Sequence, residues 1–224
     1  MPQLQSVEIP APHGMLEGLL RIPDSHSAAS GLPRMAAVIC HPHPLYGGTM
    51  HTKAVFRIAQ ALVDLGFPTL RFNFRGVGRS TGRYESGRGE REDVRAALDY
   101  LVGAFPGVPL ALGGFSFGSW VALPVGCADA RVIQLIGAGV PLASLPVDAL
   151  AACAKHKLIV QGERDEYGPK EELVRWFAGV AEPKDLRIIA GADHFFTDRQ
   201  AELVQAVTSY FQEGRSALGA LTSS

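Results

Sequence analysis

The sequence predicts an α/β fold: a mostly parallel sheet with helices on both faces. From about residue 35 onward, apolar runs of strand length alternate with amphipathic stretches of helix length. That alternation belongs to parallel strands joined by crossover helices. The 224 residues lie within the range where such folds run as one unit, so a single domain spanning 1–224 is expected, with enough chain to bury a full sheet core. A hydrophobic content of 47% with 19% charged residues is ordinary globular composition.

The elements follow in order. Residues 4–9 and 15–22 are short strand-like runs on either side of Pro10-Ala11-Pro12-His13-Gly14, a turn-rich link that predicts an antiparallel pair. Residues 34–40 read as a buried strand, 51–65 as a helix and 67–74 as the next strand. After the Gly- and Arg-rich loop 75–89, residues 90–104 have helical spacing, and Glu90, Glu92 and Asp93 suit the positive end of its dipole. Residues 110–114 form a short strand running into Ser116, and 119–127 read as a helix interrupted late by Pro124. Strands are expected at 132–136, 156–160 and 185–189, and helices at 169–179 and 198–212, with Pro169 in a first turn. The small, polar tail 216–224 is expected to fray.

Several function classes are excluded on composition. A net charge of −1 gives no footprint for nucleic acid or anionic lipid, so the expected partner is a small uncharged molecule. No basic flank precedes an apolar run at the N-terminus, and no apolar stretch approaches membrane-spanning length. A cytoplasmic protein, monomeric or homodimeric, is the expectation. Cys40, Cys127 and Cys153 are odd in number and lack C-x-x-C spacing, which argues for small buried apolar residues in a reducing compartment and against a disulfide framework or zinc site.

The chemistry centres on Gly114-Phe115-Ser116-Phe117-Gly118. Chance supplies that pattern easily in a Gly-rich chain, so its context carries the argument. It joins a strand to a helix, where a tight turn would hold the serine in a strained conformation and leave no room for side chains two residues to either side. A serine hydroxyl needs a base within reach and an acid to hold that base in the right tautomer. Beyond Ser116 stand only His156, at the start of a strand and so at the wrong end, and His194, after a strand and just before the last helix. His194 is therefore the expected base. The acid should lie after the strand 156–160, where Glu163, Asp165 and Glu166 compete; reach past Gly162 favours Asp165 over Glu163, and spacing alone leaves Glu166 open. Asp148 and Asp193 read as solvated loop residues. Acyl transfer also needs two oxyanion donors: the N–H of Phe117 and one from the loop His41-Pro42-His43-Pro44-Leu45-Tyr46-Gly47-Gly48. Pro42 and Pro44 have no N–H, which leaves His43. His41 and His43 have no third ligand nearby, so no metal is expected.

Together, residues 41–50, the block Arg71-Phe72-Asn73-Phe74-Arg75-Gly76-Val77-Gly78-Arg79-Ser80 and the run 113–118 resemble the α/β-hydrolase superfamily, in particular small bacterial carboxylesterases related to dienelactone-hydrolase-like enzymes. The resemblance spans about residues 14–212 and implies eight mostly parallel strands and hydrolysis of short acyl esters. Dienelactone hydrolases proper carry a cysteine where this chain has Ser116. Gly76-x-Gly78 is no dinucleotide fingerprint, since position 81 is Thr81, and no cofactor is expected. In the resemblance that loop is structural, with Arg75 tying it down. Residues 137–155 leave room for one short helix and no cap domain, so the site should be open. Tyr46, Phe115, Leu142 and Phe195 are candidate walls for a small, moderately apolar acyl group. The expected reaction is cleavage of short-chain carboxylic esters through Ser116, His194 and Asp165. The same three residues would serve a peptidase, amidase or thioesterase, and a non-catalytic binding protein on this fold is the alternative of another class.

Overall fold

The computed structural model describes residues 2–24, 33–143 and 150–214. β1 (Gln3–Ala11) and β2 (Gly14–Ile22) pair antiparallel, from Gln3 opposite Ile22 to Ala11 opposite Gly14. Strand and helix then alternate through β3 (Ala36–Cys40), α1 (Lys53–Asp64), β4 (Thr69–Phe72), α2 (Arg88–Ala104), β5 (Leu110–Phe115) and α3 (Phe117–Ala128). They continue with β6 (Val132–Ala138), β7 (His156–Gly162), α4 (Lys170–Ala178), β8 (Lys184–Ile189) and α5 (Gln200–Gln212). The strands make one eight-stranded sheet, ordered β1-β2-β4-β3-β5-β6-β7-β8, parallel from β4 to β8.

Every residue of β3 is buried because both faces of the sheet are covered. Val38 and Cys40 point into a core shared with Leu98 and Leu101 of α2 and Val121 and Leu123 of α3. Their neighbours Ala37 and Ile39 point the other way, against Ile58 and Leu62 of α1 and Leu203 and Val207 of α5. The two-residue strand period thus feeds two cores and makes three layers. Each fully buried Ile, Leu or Val contributes roughly 1.5–3 kcal/mol.

The strand order also positions the site. β3 and β5 are neighbours, yet the chain leaves β3 for α1 on one face and leaves β5 for α3 on the other. Where connections diverge in this way, a crevice opens beyond the carboxyl ends of the strands.

Four expectations need correction or limits. α3 begins at Phe117 and runs through Pro124 to Ala128, because Val121, Leu123 and Val125 are buried around the proline and their packing outweighs its missing hydrogen bond. Pro169 caps α4 from just outside its first turn. Cys127 and Cys153 are joined in a disulfide across a Cα separation of 5.6 Å, whereas Cys40 is free and buried, its thiol pKa pushed up by burial. Nothing in their spacing showed that the end of α3 meets the segment before β7. The tail 216–224, Asp148 and much of the stretch where a short helix had room lie outside the described residues. Among the described residues, no helix is long and apolar enough to cross a membrane.

Candidate active site

β5 delivers Ser116 to a turn where its backbone adopts φ 54° and ψ −124°, a conformation costly for any residue with a side chain. Two close approaches require the flanking glycines. A Cβ on Gly114 would lie 2.3 Å from the Gly118 carbonyl carbon, and one on Gly118 would lie 2.4 Å from the Cys40 carbonyl oxygen. The turn is pinned by the Ser116 N–H, which donates to Ala138 O at 2.9 Å, and by its carbonyl, which accepts from the Ser119 N–H at 2.8 Å.

Ser116 Oγ lies 3.0 Å from His194 Nε2, and His194 Nδ1 lies 2.8 Å from Asp165 Oδ2. A carboxylate only accepts, so the neutral ring carries its proton on Nδ1 and offers Nε2 to the serine hydroxyl. Asp165 is buried at the end of β7 and accepts four donors. Oδ2 takes Gln161 Nε2 at 2.8 Å as well as His194, while Oδ1 takes the N–H groups of Tyr167 at 2.9 Å and Gly168 at 3.3 Å. Glu163 turns elsewhere, accepting from Lys170 Nζ at 3.0 Å and the Gly191 N–H at 2.9 Å, contacts that hold its pKa below the usual carboxylate range. Glu166 is exposed, and His156 stands at the start of β7. Asp193 does more than face solvent, since Oδ1 accepts the Thr197 N–H at 2.8 Å and braces the loop that bears His194.

The loop after β3 folds around His43. Its carbonyl accepts the N–H groups of Tyr46 and Gly48, both at 3.1 Å, closing a 3-10 turn over Pro44–Tyr46. His41 beneath it is fully buried. Its Nδ1–H donates to Pro42 O at 2.6 Å and its Nε2 accepts the Phe74 N–H at 3.0 Å, which ties the loop to the end of β4. Burial lowers its pKa to about 4, so the ring is neutral. No acceptor among the described residues takes the N–H of His43 or of Phe117. The expected anchoring role of Arg75 takes a definite form: Nε and Nη2 grip buried Asp93 at 3.0 and 2.8 Å, and Nη1 reaches Glu85 at 3.0 Å.

Above Ser116 opens a cleft of about 450 Å³. Two clusters of touching rings line it. In one, His43 meets Tyr46, Tyr84 and Phe117 at centroid distances of 4.5, 5.0 and 4.9 Å, and Phe117 meets Trp120 at 5.2 Å. In the other, His194 meets Tyr167 at 4.5 Å and Phe195 at 5.1 Å. Among the described residues, no Lys, Arg, Asp or Glu lines the cleft. Tyr46 and Phe195 line the cleft at an open mouth, 86% and 55% exposed. Phe115 does not; as the last residue of β5 it points beneath the site, buried with its ring 5.1 Å from that of His194. Leu142 packs back on the core, and its neighbour Pro141 takes the cleft position. The sequence reading missed Tyr84, Trp120 and Tyr167. A signal existed for Trp120, which follows Ser116 by four residues and so shares its side of the first helical turn. Among the described residues, no group of three His, Cys, Asp or Glu side chains is placed to hold a metal ion.

The sheet order, the strained serine between β5 and α3, and a β6-to-β7 connection of only residues 139–155 define an α/β hydrolase without a cap domain. Residues 36–214 match the alpha/beta hydrolase domain family, and the chain belongs to it. A protein of Rickettsia prowazekii is 32% identical over 94% of this chain and 88% of its own length. An alpha-beta serine hydrolase homologue from Coxiella burnetii is 37% identical, with a TM-score of 0.81 over 92% of this chain and 96% of that one. A lidless serine hydrolase from Xanthomonas campestris is 28% identical, with a TM-score of 0.82 over 94% of each chain.

Proposed function

We propose that this chain is a carboxylesterase that cleaves small uncharged esters through an acyl-enzyme on Ser116. The observation that carries the reading is the unbroken relay from Ser116 Oγ through His194 to Asp165, at 3.0 and 2.8 Å. Ser116 Oγ attacks the ester carbonyl carbon while its proton passes to His194 Nε2. Negative charge gathers on the carbonyl oxygen, which the N–H groups of Phe117 and His43 receive. Collapse expels the alcohol, which takes the proton back from His194. Water, activated by the same nitrogen, then cleaves the acyl-enzyme and releases the acid. The uncharged lining formed by the described residues and the lack of a cap suit small neutral substrates and offer no tunnel for a long lipid chain.

The test combines labelling by a fluorophosphonate with hydrolysis of p-nitrophenyl esters from acetyl to dodecanoyl, alongside a thioester and a peptide. Labelling and turnover are expected in the wild type, with rates falling as the chain lengthens. Ser116→Ala should lose the label and at least about 10⁴-fold in kcat. A Ser116→Ala protein that keeps its activity sinks the assignment, and faster cleavage of the thioester or peptide moves the substrate class.

A further inference from the structure

The Gly- and Arg-rich loop between β4 and α2 serves the cleft as well as the fold, because it carries Tyr84. Both sides of Tyr84 are fixed. Before it, the Gly76 N–H donates to Thr81 O at 3.0 Å, and Gly82, at φ 82°, passes so close to His13 that a Cβ would lie 2.6 Å from the ring. After it, buried Glu90 accepts the N–H groups of Glu85 at 2.9 Å and Gly87 at 2.7 Å. Ser86 is held at φ 55°, a conformation unfavourable outside glycine. A Cβ on Gly87 would come within 2.2 Å of the Trp120 ring, so the loop closes directly on the wall of the cleft.

Tyr84 Oη lies 3.0 Å from His43 Nε2. The other nitrogen of that ring, Nδ1, accepts the Leu45 N–H at 3.2 Å, so the neutral ring must carry its proton on Nε2 and donate it to the phenol. Burial lowers the His43 pKa, which keeps the ring neutral. Tyr84 Oη therefore accepts from His43 Nε2, and the phenol's own proton is left for an acceptor other than that ring.

The relay geometry divides the cleft. A leaving alcohol must lie at His194 Nε2 to be protonated, which puts that limb of the ester against Tyr167 and Phe195. The carbonyl oxygen faces the N–H groups of Phe117 and His43. The acyl limb is left with the other ring cluster, where His43, Tyr84, Phe117 and Trp120 offer flat faces and no charge. We infer that Tyr84, oriented by His43, is a specificity-determining residue for the acyl limb, and that this limb is an uncharged planar aromatic group bearing a hydrogen-bond acceptor, as in an alkoxybenzoate ester. The inference rests on the esterase reading above and adds its substrate class.

The experiment measures kcat and KM for the ethyl esters of benzoic, meta- and para-methoxybenzoic and cyclohexanecarboxylic acids, with ethyl acetate included. Each is normalised to its rate with hydroxide to remove intrinsic reactivity. Benzoate should exceed the equally large but non-planar cyclohexane ester by about tenfold in kcat/KM. At least one methoxybenzoate should exceed benzoate by about fivefold, the worth of one neutral hydrogen bond. Tyr84→Phe keeps the ring and should abolish the methoxy preference through KM while retaining preference for planarity. Equal rates for the planar and non-planar esters, or a methoxy preference that survives Tyr84→Phe, would overturn the inference while the esterase reading stands. Turnover of none of the esters, ethyl acetate included, would overturn both.

Discussion

Replacing Asp165 by Asn changes one atom and leaves the volume of the side chain almost untouched, yet the surroundings forbid it. All four groups that meet the carboxylate are donors: Gln161 Nε2 and His194 Nδ1 at one oxygen, the N–H groups of Tyr167 and Gly168 at the other. An amide must turn its NH₂ toward one of these pairs. Facing His194, it forces the ring to accept at Nδ1, which moves the ring proton to Nε2, where it can no longer take one from Ser116. Facing the backbone, it meets N–H groups that cannot rotate away and leaves buried donors without acceptors, at about 1–3 kcal/mol each. The first arrangement is the less costly, so the wrong tautomer should dominate. We expect kcat to fall by about 10³- to 10⁴-fold, or roughly 4–5 kcal/mol of transition-state stabilisation. The assay is steady-state hydrolysis of p-nitrophenyl acetate, with thermal unfolding measured in parallel to show that the variant is folded. A folded Asp165→Asn protein within tenfold of wild type would refute the reasoning, since Glu163 is committed to Lys170 and Gly191 and has no path to the ring.

Three further outcomes follow from other parts of the structure. The His41 pKa falls from an ordinary 6.5 to about 4, so below pH 6.5 the unfolded chain binds a proton that the fold refuses; stability is full above that pH and is lost on descent toward 4. That amounts to about 3 kcal/mol, and urea midpoints of His41→Gln should show a flatter dependence across this window; parallel curves would dismiss the idea. Gly118→Ala sets a Cβ against the backbone carbonyl of Cys40, which cannot move aside, and should destabilise by about 3 kcal/mol, seen as a lowered thermal midpoint. Arg75→Met strands the buried Asp93 carboxylate and should destabilise by about 3–5 kcal/mol, with Asp93→Asn in the same chain recovering part of the loss in denaturant titrations.

Much of this molecule could be read in its sequence because the signals were local or ordered along the chain. The strand runs and their alternation with helices needed only periodicity. Ser116 and His194 were recognisable because each follows a strand and the order of their appearance is constrained by the fold. The choice among Glu163, Asp165 and Glu166 was different in kind. Spacing favoured Asp165, but what distinguishes it is a cage of donors from Gln161, Tyr167 and Gly168 that exists only once β7 has ended and the chain has turned back. Tyr84 lies 32 residues before Ser116 in a loop whose path depends on Arg75 finding Asp93, and no pattern of residue types reveals that path. Phe115 failed for the converse reason: its place next to the serine suggested the cleft, but adjacent residues at the end of a strand point to opposite sides.

The open mouth above Ser116 has a cost that the rest of the site answers. Where a domain folds down over the reaction, water is expelled and each dipole acts through a weakly screening medium. Here Tyr46, Tyr167 and Phe195 stand half or more in solvent, and bulk water reaches the serine's surroundings. Screening then weakens every donor aimed at the developing charge, and stiffness has to replace dryness. Pro42 and Pro44, the ring of His41 clamped between Pro42 O and the Phe74 N–H, and the locked carbonyl of His43 stiffen the loop proposed above to bear an oxyanion donor. Under the esterase reading, donors held in place beforehand need no reorganisation at the moment of reaction.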